Sequence, residues 1–215
     1  MICQRYKDYI FDLIHITSLP NHYRIKYAHF LWRRAGLRLH LASGNHYIKG
    51  WINIEANPFR KKDCWLDIRS GLPFRTNSVS AIFSSHFLEH LTLETLTAIL
   101  SECARVLIPH QGVMRIVVPS FEQALQAYLR KDLDWFNIPG RGPSTRFVNW
   151  VLCWCQHRLF FDFNYLKELL EDCRFRDIRR SELGHSHFLS QEELAAVDRA
   201  ASVPDKSMFI ECLKE

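Results

Sequence analysis

Apolar residues recur along this chain in two rhythms. Through residues 1–36 they fall at helical spacing, with Tyr6, Ile10, Leu13 and Ile14 on one face. Pro20 predicts a break, and a second, basic and aromatic helix is predicted through Tyr27, Phe30 and Leu31, ended by Gly36. From residue 38 the apolar runs become short and are divided by turn residues: RLHLAS, WINIE, CWLDI, VSAIFSS and VMRIVVP. These are five candidate strands. Between the fourth and fifth, Leu93, Leu96, Leu100, Cys103 and Leu107 line one face of a helix, widened by Ile99 and Val106. Pro109, Gln111 and Gly112 then turn the chain into the fifth strand. A strand, a helix and a strand joined by a connection of this length predict parallel pairing, hence an α/β fold.

Past the fifth strand, Ser120 and Gln123 form a capping-box pattern that opens a helix around Ala124 to Arg130. Residues 132–162 lose the rhythm. PGRGP at 139–143 is a loop, and the apolar, aromatic VNWVLCWCQHRLFF fits helix and strand alike, so the segment reads as an insertion or lid over a site. Phe163 to Cys173 returns to helical spacing, Arg174 to Arg180 is a sixth strand candidate, and Ser207 to Leu213 is a last strand able to pair beside it. The expected organisation is a single domain over 1–215: a helical segment at 1–36, a core at 37–130, the insertion at 132–162, and a closing helix and strands at 163–215. No internal repeat appears.

Composition narrows the class without naming a chemistry. A chain of 215 residues suits one domain, and 47% hydrophobic with 24% charged residues describes a folded globular protein able to bury a core. The net charge of +5 and pI near 8.9 suit an anionic partner, but the basic residues are scattered and accompany no recognised motif, so no dedicated nucleic-acid binding is expected. Seven cysteines, an odd number in a chain that needs no staples, suit a reduced, cytoplasmic setting. Cys153 and Cys155 in FVNWVLCWC read as packed thiols. Neither a signal peptide nor the roughly 18 to 20 apolar residues of a membrane helix is found. The basic face of the N-terminal helix reads as solvated, with a lid or a membrane-surface helix as the alternative.

In an open parallel sheet, ligands bind at the carboxyl ends of the strands near the switch in strand order. Four features fall at such ends. Leu39 to Gly44 (LHLASG) runs into a small-residue turn where Gly44 lets a ligand approach the backbone. Glu55 ends the second strand, Asp67 with Ile68 the third, and Ser84 to His90 follow the fourth. Each alone is a weak signal, since an acid at a strand end is usually a cap.

Together, LHLASG, GWINIE, DIRSGLPF, SVSAIFSSHFLEHL and ARVLIPHQGVMRIVVP resemble the small class I S-adenosylmethionine-dependent methyltransferases, in particular the type 11 group. The likeness covers residues 37–130 and extends, more weakly, through FDFNYLKELLEDCRFRDI. It implies a Rossmann-like sheet, mostly parallel with an antiparallel last strand and helices on both faces. It implies S-adenosylmethionine as cofactor, with Leu41, Ala42, Ser43 and Gly44 along its methionine part, Glu55 on the ribose, and Asp67 and Ile68 at the adenine. Ser84, Ser85 and His86 would form the rim near the methyl group. Two departures stand out: the family's glycine, any residue, glycine turn reads Ala42-Ser43-Gly44, and GNHYIKG and ANPFRKKD are too short for full crossover helices.

Methyl transfer from a sulfonium asks mostly for alignment in a closed pocket, and for a base only if the acceptor loses a proton. His86 is the first candidate base, with His90, His110 and His157 behind it. Arg141, Arg146 and His157 in the insertion are candidates to hold an acceptor, expected to be a small molecule such as a sugar or nucleotide-linked sugar. Two rivals remain: a catalytically inactive binding module on the same fold, and a zinc hydrolase built on H-x-x-E-H at His86, Glu89 and His90, with His157, His185 or His187 as a further ligand. The preferred reading has no metal, because the strand-like VSAIFSS runs straight into a motif that a zinc peptidase places inside a helix. Oligomeric state is not legible.

Overall fold

The computed structural model describes residues 4–27, 35–153 and 156–215. Helix α1 (Gln4–Tyr27) precedes β1 (Leu37–Leu41), β2 (Ile52–Glu55), β3 (Cys64–Trp65) and β4 (Val79–Ser85). Helix α2 (Leu93–Val106) leads to β5 (Val113–Pro119), then α3 (Phe121–Leu129), α4 (Pro143–Leu152), α5 (Phe163–Asp172), β6 (Phe175–Ser181), α6 (Gln191–Asp198) and β7 (Ser207–Lys214). The seven strands form one sheet in the order β3-β2-β1-β4-β5-β7-β6. β1 to β5 pair in parallel, and β7 is antiparallel to both β5 and β6. This is the expected class of sheet.

Alternation along the central strands sends side chains to two opposed cores. Met114, Ile116 and Val118 of β5 and Ile82 of β4 join a cluster with Leu96, Leu100 and Cys103 of α2 and Leu166 and Leu170 of α5. Val113 and Val117 of β5 and Ala81 and Phe83 of β4 join the other, with Leu194 and Val197 of α6. Helices therefore cover both faces. A third cluster unites Ala124 and Ala127 of α3 with Phe136 and Val151, which packs the former insertion onto the domain. VNWVL is helical, as part of α4.

The two short crossovers are indeed abbreviated. Residues 42–51 join β1 to β2 without a helix, held by the buried Asn53 side chain, which accepts the Ile48 amide at 2.9 Å and donates to the Ile48 and Trp51 carbonyls at 2.9 and 3.0 Å. The amide group of Asn53 replaces a helix as the organiser of that loop.

One expectation fails. Pro20 does not break the N-terminal helix, since α1 runs through it. The missing N–H deprives only the Ile16 carbonyl of its partner. Pro20 and Ile16 are both exposed, so water is available to that carbonyl. The helix predicted through Tyr27, Phe30 and Leu31 lies largely outside the described residues, as does Cys155. The thiols of Cys64, Cys103, Cys173 and Cys212 are buried and free, whereas Cys153 is only half-buried. No described helix is long and apolar enough to cross a membrane.

Candidate functional site

From β1 the sheet grows in one direction through β2 and β3 and in the other through β4 and β5, so the strand order switches between β1 and β4. Leu41 and Ser84 are register partners at the carboxyl ends of these two strands. The chain leaves β1 through Ala42 and Gly44, both left-handed, at φ +49° and +52°. Such a φ suits glycine and strains alanine. A Cβ at Gly44 would meet only the Ala42 carbonyl, at 3.9 Å, so the space beside this turn is open.

Glu55 at the end of β2 anchors the turn. One carboxylate oxygen accepts the Gly44 amide and the other accepts the Asn57 amide, both at 2.7 Å. Ser43 and Ser84 are buried, and neither hydroxyl has a hydrogen-bond partner among the described residues. Buried hydroxyls are normally satisfied, so this unpartnered pair, at the end of β4 and just past the end of β1, is suited to meet a polar group of a ligand. Ser85 is different: its hydroxyl accepts the Ser202 amide at 3.1 Å.

Asp67 caps the 3-10 turn Ile68–Ser70, accepting the Arg69 amide at 3.0 Å. The Arg69 guanidinium donates twice more to its other oxygen, at 2.9 and 2.8 Å. Helix α1 lies over this end: the His15 imidazole stands 3.5 Å from Asp67, Ser18 accepts the Asp67 amide at 3.3 Å, and Asp12 pairs with Arg69 at 3.0 Å.

Beyond β4, His86 takes a left-handed φ of +49°, and the 3-10 turn Leu88–His90 follows. The H-x-x-E-H residues thus occupy a loop and a single tight turn, outside any α-helix. Glu89 points inward and is 1% exposed, and both its carboxylate oxygens lack hydrogen-bond partners. Three imidazoles surround it: His86 Nδ1 at 3.4 Å, His90 Nε2 at 3.9 Å and His157 Nε2 at 3.9 Å. Two backbone bonds fasten the insertion here, the Arg158 and Leu159 amides donating to the Glu89 carbonyl at 2.8 and 3.1 Å. Burial holds the His157 imidazole below its ordinary pKa, against the upward pull of the Glu89 charge.

The fold therefore gathers Leu41, Ala42, Ser43, Gly44, Glu55, Ser84 and His86 at the switch point. Asp67 and Ile68 do not end β3, which stops at Trp65, but cap and start the 3-10 turn that follows it beneath α1. Arg146 is held within its own loop, donating to the Gly140 and Leu133 carbonyls at 2.8 and 2.7 Å, and Arg141 is exposed. His110 sits in the turn before β5, at the amino end of that strand. His185 and His187 lie with β6, where His187 meets the Arg180 carbonyl at 3.0 Å. Sequence reasoning did not find the supports of the histidines. His86 Nε2 meets the Ser207 hydroxyl at 2.8 Å, His90 Nδ1 the Gln156 carbonyl at 3.0 Å, and His157 Nδ1 the Val151 carbonyl at 2.9 Å. Backbone carbonyls carry no side-chain identity, so no sequence signal points to them.

Residues 57–114 match the family model described as "Methyltransferase domain". No curated protein matches the chain. Among solved structures, a Haloferax volcanii complex of the Trm112 methyltransferase activator with a methyltransferase shares 12% identity over 97% of this chain and 95% of that one, at TM-score 0.50. A SAM-dependent methyltransferase from Archaeoglobus fulgidus shares 15% over 90% and 92%, at 0.49. One from Methanosarcina mazei shares 18% over 86% and 95%, at 0.46. Residues 57–114 thus match a methyltransferase domain, and the chain as a whole has a class I, Rossmann-like sheet, the fold it shares with the Haloferax volcanii structure.

Proposed function

We propose that this protein transfers a methyl group from S-adenosylmethionine to a small-molecule acceptor, with a sugar or nucleotide-linked sugar as the expected class. The observation that carries this reading is the pair of buried, unpartnered hydroxyls of Ser43 and Ser84 on adjacent strand ends at the topological switch. The methionine and ribose ends of the cofactor fit the open Gly44 turn, those two hydroxyls and Glu55, whose ionised oxygens retain lone pairs beyond the two amides they accept. The adenine end is assigned to Asp67 and Ile68, and binding there requires α1 and Arg69 to yield some of their contacts with Asp67.

S-adenosylmethionine supplies a methyl group already activated on a sulfonium. The protein's part is then to align the acceptor, exclude water and, where the acceptor is a hydroxyl, take up its proton. His86 is the base in this reading. The Ser207 hydroxyl gives its hydrogen to the Val203 carbonyl, so His86 Nε2 donates to Ser207. Nδ1 then takes the acceptor's proton, on the side where the Glu89 charge stabilises the imidazolium. Arg141 and His157 flank the acceptor side, and Arg146 braces the loop between them.

Calorimetric titration with S-adenosylmethionine and its demethylated product tests the reading. Micromolar binding, about 8 kcal/mol, that is lost or much weakened in Glu55→Ala and Asp67→Ala supports it. A folded protein that binds neither ligand overturns it. Binding without turnover across an acceptor panel points to the inactive module that the strained Ala42 turn would suit.

A further inference from the structure

We propose that Glu89, His90 and His157 form a binding site for a divalent first-row transition metal of the zinc kind, open at one coordination position. The inference stands apart from methyl transfer, and it departs from the metal-free reading that the sequence alone favoured.

The argument begins with which nitrogen of each ring carries a hydrogen. His90 Nδ1 and His157 Nδ1 both face backbone carbonyls, of Gln156 at 3.0 Å and Val151 at 2.9 Å. A carbonyl only accepts, so each Nδ1 is the N–H donor, and in the neutral rings each Nε2 is left with a bare lone pair. Both Nε2 atoms turn toward one Glu89 oxygen, each at 3.9 Å, too far for a hydrogen bond. Glu89 is almost fully buried and neither oxygen has a hydrogen-bond partner among the described residues. Two lone pairs and an unpartnered carboxylate thus converge on one point. A buried carboxylate is costly without a cation beside it, and two are at hand: an imidazolium of His86, whose Nδ1 stands 3.4 Å from the same oxygen, or a metal among the three groups.

The geometry suits a metal. The three ligand atoms lie within 4.8 Å of one another. Bonds of about 2.0 to 2.2 Å at tetrahedral angles place ligand atoms about 3.4 Å apart, so each histidine closes on Glu89 by about half an ångström and the most widely spaced pair of ligand atoms by up to about 1.4 Å. Carbonyl partners behind the ligating rings are the usual means of fixing tautomer and orientation at metal sites. The hydrogen bonds from the Arg158 and Leu159 amides to the Glu89 carbonyl hold the two ligand-bearing segments in register. A cavity of about 10 Å³ adjoins the cluster, lined by Glu89, His157, Pro119, Phe121 and Trp150 among others, with room for about one water-sized ligand. Two imidazoles and one carboxylate with a free position is the donor set of catalytic zinc and of non-haem iron centres. An occupying metal would stand in the loop cluster at the carboxyl ends of β4 and β5, with its fourth position open to a water or another small oxygen ligand.

The test is metal uptake. Protein stripped with a chelator is titrated with Co²⁺ and Zn²⁺, followed by the visible absorption of bound cobalt and by metal content per chain, for the wild type and for His90→Ala, His157→Ala, Glu89→Gln and His187→Ala. The expected result is one cobalt per chain in the wild type and in His187→Ala, with affinity lowered at least about 100-fold in the other three. The wild type also serves if those variants fail to fold, since saturating Zn²⁺ should raise its thermal midpoint by about 5 °C or more. Stripped wild-type protein that is folded, takes up no cobalt and gains no thermal stability from Zn²⁺ overturns the proposal, and leaves the cluster as histidines paired to a buried acid through protons.

Discussion

The Glu55 carboxylate grips the Gly44 amide at 2.7 Å and so fastens the first strand's exit turn to the end of the second. Its other oxygen grips Asn57 at the same distance, which makes one side chain the clamp of two loops that have no helix to organise them. Hydrogen bonds to an ionised acceptor contribute about 1.5 to 3 kcal/mol each. Glu55→Gln keeps one acceptor but sets an amide NH₂ against a backbone N–H. The expected outcome is a loss of at least about tenfold in affinity for S-adenosylmethionine, read by calorimetric titration, with a thermal midpoint only a few degrees lower.

Ala42 carries a left-handed φ that costs an L-residue about 1 to 2 kcal/mol and costs glycine nothing comparable. Ala42→Gly relieves that strain and removes a Cβ from the turn. Part of the gain is offset by the greater freedom of glycine in the unfolded chain. Unchanged or slightly raised stability in urea and severalfold tighter cofactor binding are expected; weaker binding would show that the alanine shapes the turn.

Arg115 is fully buried in β5 and pairs with its register partner Glu211 of β7 at 2.6 Å and with Asp198 at 3.0 Å. It also donates to the carbonyls of Glu182 and His185 and to the Ser181 hydroxyl. One side chain thus ties the antiparallel edge to the parallel core. Arg115→Met leaves Glu211 as an unpaired buried charge and should cost about 3 to 5 kcal/mol, measured as a shift of the urea midpoint. Adding Glu211→Leu should recover much of that loss, because the unpaired charge is the main penalty.

His40, buried in β1 between Asn53 and Phe83, has its pKa lowered to about 4 by desolvation. The unfolded chain binds a proton at about pH 6.5 that the folded protein refuses until about pH 4. Stability contributed by neutral His40 is therefore fully present above pH 6.5 and is lost as pH falls through this window. The loss is on the order of 3 kcal/mol. Urea midpoints measured from pH 7 to pH 4 should fall less steeply in His40→Leu than in the wild type. Equal slopes would mean that His40 titrates in the fold as it does in the unfolded chain.

Most of the elements are legible in the residue order alone. Short apolar runs bounded by turn residues and one well-phased amphipathic helix marked all seven strands and α2, because burial of strands on both faces of a sheet imposes its pattern on local residue order. That order also brought Glu55 and Ser84 to the ends of their strands and Gly44 and Asp67 to the turns just past them, since a strand's end is legible to within a few residues wherever its apolar run stops. Helix α6 escaped notice although Ser190 and Glu193 form a complete capping box, because its apolar face is short. Pro20 misled, because a proline's effect depends on whether its freed carbonyl can reach water, which is a property of the surface. Which groups the histidines meet is set by the three-dimensional packing. His86 and Glu89 are three residues apart, but His157 reaches Glu89 through backbone pairing of the insertion against the loop beyond β4, and the rings are aimed by carbonyls that any sequence would supply. Long-range convergence of this kind leaves no periodic trace, since it is fixed by where the chain returns and not by which residues adjoin.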